Sequence, residues 1–130
     1  MANKASTIAR YLLGLVFFVF GVAGLFNLLP PPPDMPDRLQ TFMTGMMAAG
    51  YFFPLLKGTE TICGLLLLAG IAPALALVIL APITINIVLV HSFLTPGASE
   101  LVIPLAMLVL HLVAAKKYWA AYQPLFRHKP

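Results

Sequence analysis

Four long runs of apolar residues dominate this chain of 130 residues. A helix needs roughly 20 apolar residues to cross the hydrocarbon core of a bilayer. Runs of about that length cover residues 9–29, 51–71, 74–94 and 100–118. Only 9% of the residues are charged, against about 25% in an ordinary soluble domain. The sequence therefore predicts one membrane domain over residues 1–130, an all-α antiparallel bundle of four transmembrane helices.

The segment between the first two runs, residues 36–49, has a different pattern. Its apolar side chains recur at helical spacing, with polar side chains on the other side. The apolar set is Leu39, Phe42, Met43, Met46 and Met47. This pattern predicts a short amphipathic helix that lies flat at the membrane surface. The helix either closes the connection and nothing more, or covers a lipophilic pocket.

The basic residues predict the orientation of the chain. They lie at or near the start of the first run and the end of the last run, at Lys4, Arg10, Lys116, Lys117, Arg127 and Lys129. The other side carries Asp34, Asp37, Arg38 and Glu100. Because cytoplasmic flanks are enriched in Lys and Arg, we expect a multi-pass protein of the plasma (inner) membrane with both termini cytoplasmic. We interpret the net charge of +4 as a topology signal, so membrane lipid is an expected partner and nucleic acid is not.

Cysteine and metal chemistry are limited by the residues available. The chain has one cysteine, Cys63, which excludes an internal disulfide and dithiol chemistry within the chain. A metal site needs several converging ligands, and the sequence predicts none. It also identifies no catalytic residue.

Polar side chains inside the predicted spans are the candidate ligand-binding residues. Counted from the outer ends at about 1.5 Å per residue, Glu60, Asn86 and His111 lie at a similar depth, with Lys57 and His91 nearer the outside. A charged residue at the bilayer centre costs about 2.5 to 3.5 kcal/mol on insertion scales, so each needs a partner or a purpose. We expect these five side chains to converge in one interior compartment.

Structural roles for the same residues remain open. Lys57 and Glu60 are three residues apart and can pair with each other, or Glu60 can exchange a proton or bind a ligand. Pro82 is expected to kink the third helix and open a pocket near Asn86, which either bridges helices or contacts a ligand. His111 is either a hydrogen-bonded interior residue or a member of the site.

The first two spans contain glycines, at Gly14, Gly21 and Gly24 in the first and at Gly64 in the second. Glycine lets helix backbones approach closely, so we expect these positions to serve helix packing. The same face could serve a homo-oligomer.

Three motifs carry a resemblance to a known family. They are Arg10-x-x-x-Gly14 with Gly21, Pro54-Leu55-Leu56-Lys57-x-x-Glu60-x-x-x-Gly64, and Ala81-Pro82-x-Thr84-x-Asn86-x-x-x-x-His91. Together they resemble the DoxX family of small four-span membrane proteins, over about Ala9 to Leu125. The resemblance places Glu60, Asn86 and His91 on motif positions.

The resemblance implies a function in a membrane complex. Members include a membrane subunit of thiosulfate:quinone oxidoreductase and partners of a superoxide dismutase and a sulfurtransferase in a thiol-stress complex. We therefore expect a membrane subunit of a quinone-linked redox or thiol-stress system with a polar intramembrane pocket. The implied ligand is a bound quinone or lipid, with no covalently attached cofactor, and the implied partner is a redox subunit or another membrane protein. The alternatives are a non-catalytic adaptor or assembly chaperone and a small-molecule transporter, so enzyme activity stays open.

Overall fold

The computed structural model describes residues 2–28, 34–95 and 97–127, and these form helices and turns. The α-helices are α1 (Ala2–Leu25), α2 (Asp37–Ala48), α3 (Phe52–Ala69), α4 (Pro73–Phe93), α5 (Val102–Lys116) and α6 (Trp119–Tyr122). Short 3-10 helices span Ala98–Leu101 and Gln123–Phe126. Four segments are long and apolar enough to cross a membrane: Lys4–Leu25, Phe52–Ala69, Pro73–Phe93 and Ala98–Lys116. The predicted all-α membrane bundle is confirmed.

The first helix differs most from its predicted bounds. It starts at Ala2, before residue 9, and its early part packs against the bundle, where buried Ser6 donates a hydrogen bond to the Val113 carbonyl. It ends at Leu25, and Asn27 adopts a left-handed backbone with φ of 52°. Leu29, at which the sequence predicted the end of this helix, lies outside the described residues, as do the prolines at 30–33. The lysine at 129 lies outside them as well.

The amphipathic segment forms helix α2 (Asp37–Ala48), as the sequence predicted, with Asp37 in its first turn. None of its residues is buried. Its link to the bundle includes a long hydrogen bond, 3.4 Å, from the Arg38 side chain to the Phe93 carbonyl at the end of α4. Helix α2 therefore rests on the bundle without being part of its core.

The tightest helix contact joins α1 and α3 through glycines. A Cβ on Gly14 would lie 2.9 Å from the Cβ of Leu67, and one on Gly64 would lie 2.5 Å from the backbone nitrogen of Phe18. These distances leave no room for a larger residue. Helices α1 and α3 therefore pack backbone against backbone, the arrangement for which small residues are enriched in membrane helices.

The four spanning helices form a closed ring in which α1 contacts α3 and α5, and α4 contacts the same two helices. Fully buried side chains fill the centre, among them Leu13, Phe17, Leu67, Leu77 and Leu80. The bundle has two distinct ends. The α2 end holds α2, the start of α3 and the Ala98–Leu101 turn, and the basic end holds Lys4, Arg10, Lys116, Lys117 and Arg127.

At the basic end a three-residue turn joins α3 to α4. Gly70 ends α3 in a left-handed conformation with φ of 72°, and Ala72 follows with φ of 47°. Pro73 then occupies the first turn of α4, where its missing N–H has no helical partner to lose. These residues produce the tight antiparallel hairpin that the short gap between the two apolar runs predicts.

Candidate ligand pocket

A pocket of about 330 Å³ opens at the α2 end, and all four spanning helices contribute to it. We call it the carboxylate pocket. Its lining residues are Val16, Phe17, Phe20, Lys57, Glu60, Ile87, His91, Ser99, Glu100, Ile103, Pro104 and Met107. The walls are mainly apolar, and three of the five predicted ligand-binding residues lie in it: Lys57, Glu60 and His91.

The Lys57–Glu60 pair is the charged element of this pocket. Lys57 Nζ lies 3.3 Å from Glu60 Oε2, one turn apart on α3, and Glu60 is 4% exposed. The lysine stem passes over Gly24, where a Cβ would lie 2.5 Å from Lys57 Cδ. Its ammonium group also lies 5.6 Å from the centre of the Phe53 ring. The pair thus lowers the cost of placing two charges within the membrane-spanning part of the bundle.

His91 supplies an imidazole to the same pocket. Its Nδ1 lies 2.8 Å from the carbonyl oxygen of Ile87, one turn back on α4. A carbonyl only accepts hydrogen bonds, so Nδ1 carries the hydrogen and donates it. Nε2 of the neutral ring is therefore the nitrogen that can take up a proton.

Ser99 and Glu100 complete the polar lining. They belong to the 3-10 turn between α4 and α5, and both are exposed. From the sequence, Glu100 serves only to predict the orientation of the chain, and it is not predicted to lie in the site. Its position directly before the fourth apolar run, on the same side as the outer ends of the spans that carry Lys57 and His91, is the signal that could have identified it.

Asn86 lies on a different surface. It is exposed on α4 and lines a groove of about 680 Å³ between α2, α3 and α4. We call this the α2 groove. The other residues that line it are Thr41, Phe42, Gly45, Met46, Ala49, Phe52, Leu56, Pro82 and Ile83. A pocket beside Pro82 and near Asn86 was expected, and this groove lies there. Glu60 does not line it, and Asn86 does not line the carboxylate pocket.

His111 belongs to a buried network that lies apart from both pockets' lining. Its Nε2 lies 2.9 Å from the Leu77 carbonyl oxygen, and its Nδ1 lies 3.0 Å from Thr84 Oγ1. Since the carbonyl can only accept, Nε2–H donates to Leu77 and the Thr84 hydroxyl donates to Nδ1. Both ring nitrogens are used within the protein, and the imidazole joins α5 to α4.

The prediction of one shared compartment for all five side chains is therefore wrong. Equal depth along a helix fixes the level of a residue in the membrane but not the side of the bundle that it faces. The structure brings Lys57, Glu60 and His91 together, and separates Asn86 and His111 from them. Whether any of the five binds a ligand stays a prediction.

The described residues offer little for metal or thiol chemistry. Within residues 2–28, 34–95 and 97–127, no three His, Cys, Asp or Glu side chains are grouped so that they could hold a metal ion. Cys63 is a buried free thiol in the core between the helices. Hydrogen bonding and proton transfer are the chemistry that the carboxylate pocket can supply.

Comparison with known proteins identifies a family for this chain. No match is found among curated proteins or among solved structures. The family model DoxX matches residues 5–92, which is more than half of the chain and includes α1 to α4 up to residue 92. The match covers the glycines of the α1–α3 contact as well as Lys57, Glu60 and His91. This multi-pass membrane protein belongs to the DoxX family.

Proposed function

We propose that this DoxX protein is a membrane subunit of a quinone-linked redox system, and that its carboxylate pocket binds the quinone head group. One observation carries the proposal: an apolar pocket between four membrane helices contains an ammonium, a carboxylate and an imidazole. A ligand that partitions into the bilayer and exchanges protons fits this combination of walls and polar groups.

The size and chemistry of the pocket agree with such a ligand. Its volume of about 330 Å³ is near the lower end of the range of roughly 300–1,000 Å³ for small-molecule sites. Phe17, Phe20 and Met107 give apolar contact area for a ring. The Lys57 ammonium can donate a hydrogen bond to a carbonyl oxygen while it keeps its contact with Glu60.

Proton handling follows from the same residues. Reduction of a quinone to a quinol takes up two electrons and two protons. His91 can hold a proton at Nε2 and release it towards the pocket, and Glu60 can do so at its carboxylate. Glu100, exposed at the α2 end, can exchange protons with water. The electrons come from a partner redox subunit in this proposal, because the sequence has one cysteine and no haem or flavin motif.

The test is native mass spectrometry of the purified chain with a short-chain ubiquinone and a short-chain menaquinone. We expect one quinone per chain, and His91→Phe should weaken binding by about tenfold through loss of one hydrogen bond to a polar group. Asn86→Leu is the matched control, because Asn86 lies in the α2 groove. Quinone binding that depends on Asn86 and not on His91 would contradict the proposal.

A non-catalytic adaptor is the second candidate, favoured by the pairing of Lys57 with Glu60. The two charges compensate each other at 3.3 Å without any ligand. If the protein is an adaptor, the double variant Lys57→Met/Glu60→Leu should keep its fold and its binding to the partner. Neither the wild type nor the double variant should then bind quinone. In the quinone-linked function, the wild type binds quinone and the double variant does not.

A further inference from the structure

Among the residues that the structure describes, no anionic group pairs with the buried cation Arg10. Arg10 is 9% exposed, and its Nε has no hydrogen-bond acceptor among the described residues. The Arg10 guanidinium carbon lies 4.5 Å from the centre of the Tyr11 ring. A cation held near an aromatic face still needs hydrogen-bond acceptors when it is removed from water, because a buried unpaired charge is strongly destabilising.

The acidic residues of the chain cannot supply this partner. The sequence contains four of them, and the structure describes all four. Glu60 pairs with Lys57 in the carboxylate pocket. Asp34, Asp37 and Glu100 lie at the α2 end, whereas Arg10 lies beside the turn at the opposite end of α3. None of the four acidic side chains therefore balances the charge of Arg10.

Gly70 makes room for the Arg10 side chain. A Cβ on Gly70 would lie 2.7 Å from Arg10 Nη1, and the left-handed φ of 72° already favours glycine there. The end of α3 carries partial negative charge from its free carbonyls, which favours a cation nearby. That partial charge explains why a cation is tolerated at this position, but Nε remains without an acceptor.

The surroundings of Arg10 attract anions. The other basic residues described at this end are Lys4, Lys116, Lys117 and Arg127, and no acidic side chain accompanies them. An arginine fork matches the oxygens of a phosphate, and lipid phosphates lie at the membrane surface, where α3 ends. We propose that Arg10, in the notch left by Gly70, binds a phosphate group, supplied by a phospholipid head group or by free phosphate.

The test measures lipid retention by the full chain. Native mass spectrometry after equilibration with an equal mixture of phosphatidylglycerol and phosphatidylcholine should show one phosphatidylglycerol held per chain. Arg10→Gln should weaken that binding by tenfold or more, the size expected for loss of hydrogen bonds between charged groups (about 1.5–3 kcal/mol). Arg10→Lys keeps the charge that sets orientation but loses the fork, and should also bind several-fold more weakly.

Lys4→Gln is the matched control, since Lys4 is an exposed basic residue on the same helix. It should change binding by no more than about fivefold, the usual effect of one surface charge near anionic lipid. Circular dichroism checks that each variant keeps its helix content. If inorganic phosphate displaces the lipid or binds in its place, with the same dependence on Arg10, free phosphate is the source. The proposal is overturned if the wild type, Arg10→Gln and Arg10→Lys bind phosphatidylglycerol equally and also bind inorganic phosphate equally.

Discussion

The imidazole of His111 is held by two hydrogen bonds, from Thr84 and to Leu77. Thr84→Val should lower the free energy of unfolding by about 1–3 kcal/mol, because Nδ1 of a buried ring is left without a donor. Denaturant titration in mixed micelles measures this. The control is Thr59→Val, which removes a solvent-exposed hydrogen bond from the Thr59 hydroxyl to the Leu55 carbonyl of the same helix. It should change the free energy of unfolding by less than about 0.5 kcal/mol. Equal losses in both variants would contradict the structural role of His111.

Lys57 and Glu60 are expected to depend on each other. Glu60→Leu alone leaves a largely buried ammonium unpaired and should cost about 3 kcal/mol, while Lys57→Met/Glu60→Leu should lie within about 1 kcal/mol of the wild type. The same unfolding titration on the wild type, both single variants and the double variant gives the coupling free energy. Additive losses would show that the two side chains act independently.

Residue-level predictions from sequence succeeded where the chain itself supplies the geometry. The spacing of Lys57 and Glu60 on one helix predicts their contact, because residues three apart share a helix face. The bonds of His111 to α4 join residues 27 and 34 positions apart in sequence. Which side of α5 faces α4 depends on how the helices are rotated in the bundle, and the hydrophobic pattern of an all-apolar helix does not encode that rotation.

At the scale of elements, the α1–α3 contact depends on Gly64. Gly64→Ala should lower the free energy of unfolding by about 1–3 kcal/mol or more, since a Cβ would lie 2.5 Å from the backbone nitrogen of Phe18. Gly58→Ala, in the same helix, has open space around its Cβ position and should stabilise the helix slightly. Thermal unfolding of the two variants in detergent separates packing from helix propensity. A loss in Gly58→Ala as large as in Gly64→Ala would refute the packing argument.

The number and order of the helices could be read from the sequence, because hydrocarbon thickness sets their length and the polar or proline-rich connections set their ends. The amphipathic helix α2 followed from its spacing of apolar residues. The division of the polar residues between the carboxylate pocket and the α2 groove could not be predicted from such spacing. That division requires knowing that α4 presents His91 to the carboxylate pocket and Asn86 to the α2 groove, and a span with apolar residues on every side carries no such signal.

At the scale of the whole molecule, charge is segregated between the two ends, and the basic end is predicted to face the cytoplasm. In a Cys63→Ala background, a membrane-impermeant maleimide added to intact cells should label Ser99→Cys. Lys4→Cys should react only after the membrane is opened. Both positions are exposed, so the difference reports the side of the membrane. Labelling of Lys4→Cys in intact cells would reverse the predicted orientation.

The short turn between α3 and α4 also sets where the molecule can widen. Gly70 and Ala72 hold the two helices together at one end, while their other ends are joined to the chain through separate connections. Because the turn connects α3 and α4 at one end only, it restricts the distance between the two helices at that end and not at the other. The connected end lies beside Arg10, whereas the carboxylate pocket, with Glu100 in its lining, lies towards the ends of α3 and α4 that the turn does not constrain.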